Sequence, residues 1–179
     1  MIFYTDYPSP LGRILLLSDG EALTGLYMDT QPGKAGELQK ELPVFDDTKT
    51  WLDAYFRGQQ PDPSVLPLSP KGTPFQQGVW KLLLTIPYGT TTSYGCIARE
   101  MARQLGKEKM SAQAVGQAVG RNPISIIIPC HRVLGAKGQL TGYAAGPDKK
   151  LWLLKHEGII TPLGRASLVQ NVTITHSPK

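Results

Sequence analysis

Cysteine, histidine and long apolar runs are scarce in this sequence, and each scarcity excludes a class of protein. The 179 residues include two cysteines and three histidines, with no Cys-x-x-Cys pair and no ligand spacing between the two types. We therefore expect no metal site, no cofactor and no disulfide framework, although one disulfide stays open. No apolar run is long enough to span a bilayer, and the first ten residues lack the basic start and apolar centre of a signal peptide. These absences favour a cytoplasmic protein that does not bind membranes.

The charge balance favours an anionic partner. Lys and Arg outnumber Asp and Glu by 19 to 14, giving a formal charge of +5. Such an excess is typical of proteins that bind nucleic acid, although many other basic proteins do not. The proportions of hydrophobic residues (41%) and charged residues (18%) are typical of an ordinary globular protein. A chain of this length can bury an adequate core without disulfides or bound metal.

The first third alternates apolar and polar residues between turn signals, which predicts strands. The predicted strands and their turns are residues 2–7, 13–20 and 22–29, joined at Pro8–Pro10 and Asp19–Gly20. Residues 49–58 then predict a helix, with large apolar side chains on one face and a glycine at its end. Residues 59–74 are rich in Pro, Ser and Gly, and they are interpreted as a connection to a second unit.

The second unit is predicted to be mostly helical. Three helices are expected at residues 73–86, 93–106 and 111–120, with Thr73, Ser93 and Ser111 as their N-caps. The last two favour a helix-turn-helix whose second helix, built of small residues, can approach DNA closely. The competing interpretation is a tight core contact, because small residues on a helix also serve that purpose. Strands followed by helices give an α+β fold class.

In the stretch "SIIIPCHRVLG", a cysteine follows an apolar run and a proline. Ile126–Ile128 is predicted to be a buried strand that ends at Pro129, with Cys130 at the mouth of a pocket. His131 could accept the thiol proton, directly or through water, and a third group would orient its ring. Since neighbours in a strand face opposite sides, this couple requires a helical step after Pro129 or a bridging water.

Structural interpretations compete with this one. A lone cysteine is usually a small buried hydrophobe, and this is the interpretation given to Cys96. His131 could lie at an interface and Arg132 could be a solvated charge. His156 is interpreted as a surface or interface histidine, and His176 as solvated.

The motifs from Thr73 to Gly158 resemble the O6-alkylguanine-DNA alkyltransferases, also called methylated-DNA-protein-cysteine methyltransferases. The matching stretches, in the family's order and spacing, are "TPFQQGVWKLL", "IPYGTTTSYG", "AVGQAVGRNPISIIIPCHRVLG", "LTGYAAG" and "WLLKHEG". The resemblance implies a small N-terminal ribonuclease-H-like α/β domain with its connecting loop, residues 1–70. A mostly helical catalytic domain with a helix-turn-helix (winged-helix-like) DNA-binding motif would follow at residues 71–160, and residues 161–179 would form a C-terminal tail.

The function implied by the resemblance is single-turnover DNA repair. The alkyl group of O6-alkylguanine, and of O4-alkylthymine, would pass from double-stranded DNA to Cys130, after the base is flipped out of the stack. In the family the cysteine matched by Cys130 is activated by the histidine matched by His131 through water, and the glutamate matched by Glu157 holds that histidine. Asn122 matches an asparagine that bridges the recognition helix to the active-site segment.

Other matched positions imply contacts with DNA and the alkylguanine. Tyr94 matches a tyrosine that rotates the nucleotide's phosphate and can donate a proton to the departing guanine, and Tyr143 matches a pocket residue. The backbone around Val133 and Cys130 would read the guanine edge. The remaining candidates for DNA contact are Ser93, Ala112, Arg121 and Arg132.

Two departures from the family pattern affect binding and specificity. Gln113 stands where the family commonly has an arginine that enters the gap left by the flipped base. Ala144 stands where some relatives have a serine that bonds O6, which predicts tolerance of alkyl groups larger than methyl. Binding is expected in the minor groove with little sequence preference. We expect a monomer, and cooperative binding along DNA stays open.

Three alternatives remain. Alkyltransferase-like proteins recognise the same lesions and recruit excision repair, but they lack the cysteine that this chain has. A helix-turn-helix regulator could sense alkylation or oxidation through Cys130, although no additional cysteine-rich domain is present. A cysteine hydrolase would need an oxyanion site, and it would turn over repeatedly.

Overall fold

The structure is a computed structural model that describes residues 1–32 and 36–159. It consists of two compact units, one made of residues 1–71 with 123–127, the other of residues 72–122 and those from 128 on. The tail at 161–179, with His176, lies outside the described residues. Across the described ranges, no helix has the length and apolar character that crossing a bilayer requires.

The first unit is a four-stranded sheet with one helix packed on it. Its strands, in the spatial order β3-β2-β1-β4, are β1 (Phe3–Ser9), β2 (Gly12–Ser18), β3 (Leu23–Met28) and β4 (Leu38–Gln39). The first three strands are antiparallel neighbours, and β4 pairs parallel to β1. Helix α1 (Pro43–Phe56) begins earlier than the sequence predicts, because Pro43 stands in its first turn and Val44 and Phe45 are buried,.

The segment Pro123–Ile127 belongs to this first unit. Leu26 of β3 donates its backbone N–H to the Pro123 oxygen at 2.8 Å, and its own oxygen accepts from Ser125 at 3.3 Å. The strand predicted at Ile126–Ile128 is wrong, although all three side chains are buried. The backbone turns tightly instead, with Ile126 in the left-handed region at φ 70°. Burial of the apolar side chains holds the run in place, so it needs no ladder of sheet hydrogen bonds.

The second unit is mostly helical, as predicted. Its helices are α2 (Pro74–Leu83), α3 (Tyr94–Gln104), α4 (Ala112–Gly120) and α5 (Pro147–His156). A short parallel pair joins β5 (Thr92–Ser93) to β6 (Val133–Leu134). Trp80 of α2 is buried and donates its indole N–H to the Ala118 oxygen at 2.9 Å, which fastens α2 to α4.

Side-chain caps start the three helices where the sequence predicts. Thr73 forms a reciprocal capping box with Gln76, while Ser93 accepts from the Cys96 N–H and Ser111 from the Ala114 N–H,. Helices α3 and α4 pack together across the turn at residues 105–111. The helix-turn-helix and the α+β fold class are therefore confirmed.

Candidate active site

Cys130 begins a short 3₁₀ turn that runs to Arg132. Pro129 cannot donate a hydrogen bond, and the Cys130 N–H bonds to the Ile128 oxygen at 2.8 Å,. This turn is the helical step that the sequence predicts, beside a bridging water, as a way for the side chains of Cys130 and His131 to serve one site. The side chain of Cys130 is buried.

Two groups counteract the effect of burial on the thiol. Burial raises the pKa of Cys130, while a hydrogen bond with Asn122 and the positive charge of Lys150 lower it,. Asn122 follows α4 and also donates to the Ile128 oxygen at 2.8 Å. The asparagine therefore joins the end of the small-residue helix to the segment that carries Cys130.

His131 and Glu157 form a fully buried pair. The imidazole Nε2 bonds to Glu157 Oε2, and the other carboxylate oxygen accepts from Arg132 Nε at 2.8 Å and from the Gly89 N–H at 3.2 Å. Burial alone would raise the pKa of Glu157, but His131 and Arg132 bring it well below its usual range. Burial lowers the pKa of His131 against the opposing charge of Glu157.

These directions assign the proton on the imidazole ring. The ionised carboxylate of Glu157 only accepts, so Nε2 of the neutral His131 ring must donate to it. Nδ1 is then the acceptor, and it has no hydrogen-bond partner within residues 1–32 and 36–159. The pair therefore presents one buried basic nitrogen in the residue next to the thiol.

Tyr94 stands at the first position of α3. Its hydroxyl donates to the Thr141 oxygen at 2.8 Å, and a Cβ at Gly142 would come within 2.6 Å of that hydroxyl oxygen. Gly142 has φ 74°, so both its backbone and its closeness to Tyr94 require glycine,. Burial raises the pKa of Tyr94, and the Cys130 charge raises it further.

A groove of about 770 Å³ runs beside Tyr94. Small residues of α4, including Ala112, Gly116 and Gly120, line one side, and the loop at Thr141 and Gly142 contributes to the other. Cys130 is buried and is not among the residues that line this groove, and its place at the mouth of a pocket stays a prediction.

The remaining predicted residues occupy different environments. Gln113 and Ala112 are exposed at the start of α4, and Arg121 is exposed just after its end. Ala144 is exposed next to the buried Tyr143. Ser93 caps α3.

The phosphate contact predicted for Arg132 is not supported. Its guanidinium is buried, donating to Glu157 and, at 2.7 Å, to the Ile86 oxygen, and it lies over the Tyr88 ring. The guanidinium charge is therefore paired with the Glu157 carboxylate inside the unit, and a contact with a phosphate would require Arg132 to leave these partners.

The interpretation of Cys96 as a buried hydrophobe is wrong as well. The thiol is partly exposed in the first turn of α3, and Arg99 Nη2 lies 3.1 Å from its sulfur.

Sequence reasoning missed Lys150, which is fully buried on α5. Its ammonium donates to the backbone oxygens of Val133 at 2.5 Å and Thr141 at 2.9 Å. The signal was present in the helical spacing, since positions 150, 153, 154 and 157 share one face and Leu153 and Leu154 are apolar.

Comparisons with known proteins match most of the chain, including parts of both units. Residues 2–70 match the ribonuclease-like domain of 6-O-methylguanine DNA methyltransferase, and residues 74–159 match its DNA binding domain. A methylated-DNA--protein-cysteine methyltransferase from Haemophilus influenzae is 45% identical, covering 88% of this chain and 87% of the relative. The same-named protein from Mycobacterium leprae is 47% identical, covering 88% of this chain and 93% of its own.

A solved structure agrees with these sequence matches. The crystal structure of Mycobacterium tuberculosis OGT in complex with DNA has a TM-score of 0.73 and 44% identity, and the match covers 87% of this chain and 92% of that one. The chain therefore belongs to the 6-O-methylguanine DNA methyltransferase family, with the ribonuclease-like domain preceding the DNA binding domain.

Proposed function

We propose that this chain repairs DNA directly, by moving the alkyl group of O6-alkylguanine onto the sulfur of Cys130. The observation that carries the assignment is a buried thiol next to a neutral histidine whose far ring nitrogen is held by an ionised carboxylate. O4-alkylthymine presents a similar alkyl-oxygen bond and is proposed as a second substrate.

The reaction begins with the thiol proton. Nδ1 of His131 receives it through a bridging water, and Glu157 stabilises the resulting imidazolium. The Cys130 thiolate attacks the alkyl carbon; the sulfur–carbon bond forms as the carbon–O6 bond breaks, and the bonding electrons pass to the guanine.

Guanine leaves more readily as a neutral base, so a proton donor is needed near O6. We assign that role to the Tyr94 hydroxyl, which lines the groove and must exchange its bond to Thr141 for one to the base. The proton held on His131 then restores the tyrosine. In total the thiol loses one proton, the guanine gains one, and Cys130 becomes a neutral thioether that ends the protein's activity.

DNA binding is proposed at the face of α4. Its small residues admit a close approach, while Gln113 is exposed where it can enter the space left by a flipped base,. Phosphate groups of the DNA could be bound by Arg121 and by the backbone N–H groups of the first turn of α3, which follows its N-cap Ser93. We propose minor-groove binding by a monomer with little sequence preference, since a lesion can occur at any guanine. A sigmoidal isotherm for binding to long duplex DNA would show that copies bind cooperatively.

The surroundings of the base determine which alkyl groups fit. Val133 backbone groups and Tyr143 are proposed to contact the base, and the exposed Ala144 presents only a methyl group where a larger side chain would narrow the site. We therefore propose that groups larger than methyl are accepted. Residues 71–160 are proposed as the catalytic domain and residues 1–70 as the ribonuclease-H-like one. The location proposed is the cytoplasm, since a free thiol nucleophile must stay reduced.

Intact-protein mass spectrometry tests the assignment. The protein is mixed with excess duplex containing one O6-methylguanine, and the modified peptide is mapped; Cys130→Ser and Cys96→Ser serve as the matched pair. We expect one methyl group per chain, located on Cys130, lost in Cys130→Ser and kept in Cys96→Ser. Unchanged mass together with tight lesion binding would instead indicate an alkyltransferase-like protein, and repeated turnover would indicate a hydrolase.

A further inference from the structure

A second groove, called here the basic groove, lies between α3 and the turn that precedes α4. Its volume is about 490 Å³, and it is lined by none of the residues that take part in the proposed reaction. Ala98 and Ala102 of α3 line it and are buried, so they form its base. Arg99, Lys107 and Lys109 also line it and are exposed, so they stand at its rim. The groove therefore combines a base of small apolar side chains with cationic edges.

The cations at the rim are not neutralised by the protein. Arg99, Lys107 and Lys109 form no ion pair with a carboxylate within the described ranges. Arg103, which also lines the groove, differs because it is paired with a carboxylate of its own helix at 2.6 Å. The one acidic side chain among the lining residues is that of Glu108. Three unpaired cations against one carboxylate leave an excess of positive charge, which favours an anionic ligand.

The basic groove is continuous with the groove beside Tyr94. Gly95 and Ala112 line both of them. Gly95 lies in the first turn of α3, and Ala112 begins α4. The N–H groups of a first turn lack partners in their own helix and carry the positive end of its dipole. A ligand with anionic groups at regular intervals can therefore cross these two residues and occupy both grooves.

A DNA strand is the polyanion that fits this surface. Its phosphates repeat at regular spacing and meet cations, while its deoxyribose rings present apolar surface to the alanines at the base. The groove beside Tyr94 adjoins the face of α4 that is proposed to bind the lesion. A strand that enters there reaches the basic groove without leaving the protein. An acidic segment of another protein would carry the charge, but nothing would bring it to this face.

We propose that the basic groove binds the phosphate backbone of DNA beyond the lesion, with Arg99, Lys107 and Lys109 as its contacts. This inference rests on the DNA binding of the proposed function. Phosphate contacts carry no sequence information, but they fix the position of a protein on the duplex and make its affinity sensitive to salt. The basic groove thus holds the duplex in register while the base beside Tyr94 leaves the stack.

The salt dependence of binding tests this contact. Binding to a duplex with one O6-methylguanine is measured by fluorescence anisotropy, with Cys130→Ser as the parent protein so that no transfer intervenes. The lysine variant carries Lys107→Gln and Lys109→Gln, and a control with Lys71→Gln and Lys155→Gln loses the same charge at exposed positions outside the groove. Each lost phosphate contact lowers the salt slope by about 0.9, so the parent's advantage over the lysine variant should shrink about tenfold between about 50 and 200 mM salt. The control should keep the parent's slope.

Glu108→Gln gives the opposite prediction. Removing the one carboxylate of the basic groove should tighten duplex binding about threefold or more at low salt, because a charge that repels phosphate is lost. Binding no tighter than that of the parent would contradict the inference. Thermal unfolding shows whether each variant is folded, and if the lysine variant is not, the Glu108 variant decides.

Phosphates neutralised one at a time locate the contact. A methylphosphonate at a position that lies in the basic groove should weaken binding of the parent, and it should weaken binding of the lysine variant much less, since the protein partner is already gone. Equal effects on both proteins at every phosphate would overturn the proposal, and so would an unchanged salt slope. A lysine variant that binds short duplex like the parent, but loses sigmoidal binding on long duplex, would show that the groove contacts a second copy instead.

Failure of the proposed function is distinguishable from failure of this inference. With Cys130 present and DNA saturating, the lysine variant should still gain one methyl group at the wild-type rate, because the basic groove contains none of the reacting groups. A wild-type chain that binds the lesion duplex without gaining a methyl group would contradict the proposed transfer, whereas the salt slopes would still decide whether the groove binds phosphates.

Discussion

Replacing Glu157 by Gln tests the charge network behind the proposed nucleophile. Glu157 is 6% exposed, and it accepts from His131, from Arg132 at 2.8 Å and from Gly89 at 3.2 Å. Glutamine keeps the shape but leaves the Arg132 guanidinium buried without a counter-ion. Breaking such a pair costs about 3–5 kcal/mol, which for a chain of this size lowers Tm by about 6–20 °C.

The same carboxylate makes stability sensitive to acid. The unfolded glutamate takes up a proton near its ordinary pKa of 4.5, whereas the folded pKa lies well below it. Folding stability is therefore lost as the pH falls below 4.5, and Glu157→Gln should decline less steeply there. His131 acts in the same direction at higher pH: burial lowers its pKa from 6.5, so the unfolded chain gains a proton first and stability falls as the pH drops through that range.

The assay is thermal unfolding followed by circular dichroism over a range of pH. Glu108→Gln is the matched control, because Glu108 is exposed in the turn between α3 and α4, and such surface changes stay within about 0.5 kcal/mol. Alkyl transfer, measured in parallel on the folded protein, should slow because His131 loses its orienting partner. A Tm for Glu157→Gln equal to that of the control would refute the reasoning.

The remaining predictions concern transfer and specificity. Tyr94→Phe should slow transfer at least about tenfold, since a general acid is lost, while lesion binding measured by fluorescence anisotropy stays close to wild type; an unchanged rate would remove Tyr94 from proton donation. Gln113→Ala should slow repair in duplex more than in single strands, and Gln113→Arg should tighten duplex binding, so equal effects on both substrates would contradict a gap-filling role. O6-benzylguanine and O6-ethylguanine should react at rates comparable to O6-methylguanine in a competition assay, and a strong preference for methyl would show that Ala144 does not widen the site.

Features governed by local hydrogen bonds could be predicted from the sequence. Thr73, Ser93 and Ser111 start their helices because a side-chain oxygen satisfies an N–H two or three residues ahead, whatever the rest of the chain does. The 3₁₀ turn after Pro129 is one of the two arrangements that the sequence predicts, the other being a bridging water, since adjacent residues in a strand face opposite sides,. The family resemblance, carried by the stretches around these residues, is confirmed by the comparisons.

Features that depend on partners distant in the sequence could not be predicted. Arg132 is adjacent to His131, but its burial follows from Glu157 and the Ile86 oxygen, which only the fold brings to it. Lys150 lies on the buried face of α5 against the ordinary preference of lysine for solvent. The isoleucine run was correctly expected to be buried, yet burial alone does not distinguish a strand from a chain of turns.

Because the segment Pro123–Ile127 belongs to the first unit, the helical unit cannot be produced as a separate fragment without losing partners of this segment. A fragment beginning at residue 72 would contain every residue of the proposed chemistry, but it would lack Leu26, whose backbone receives this segment. Three buried isoleucines would then face water just upstream of Cys130. The sheet at the start of the chain takes no part in the proposed chemistry, yet it supplies the backbone partners of the stretch that leads to Cys130.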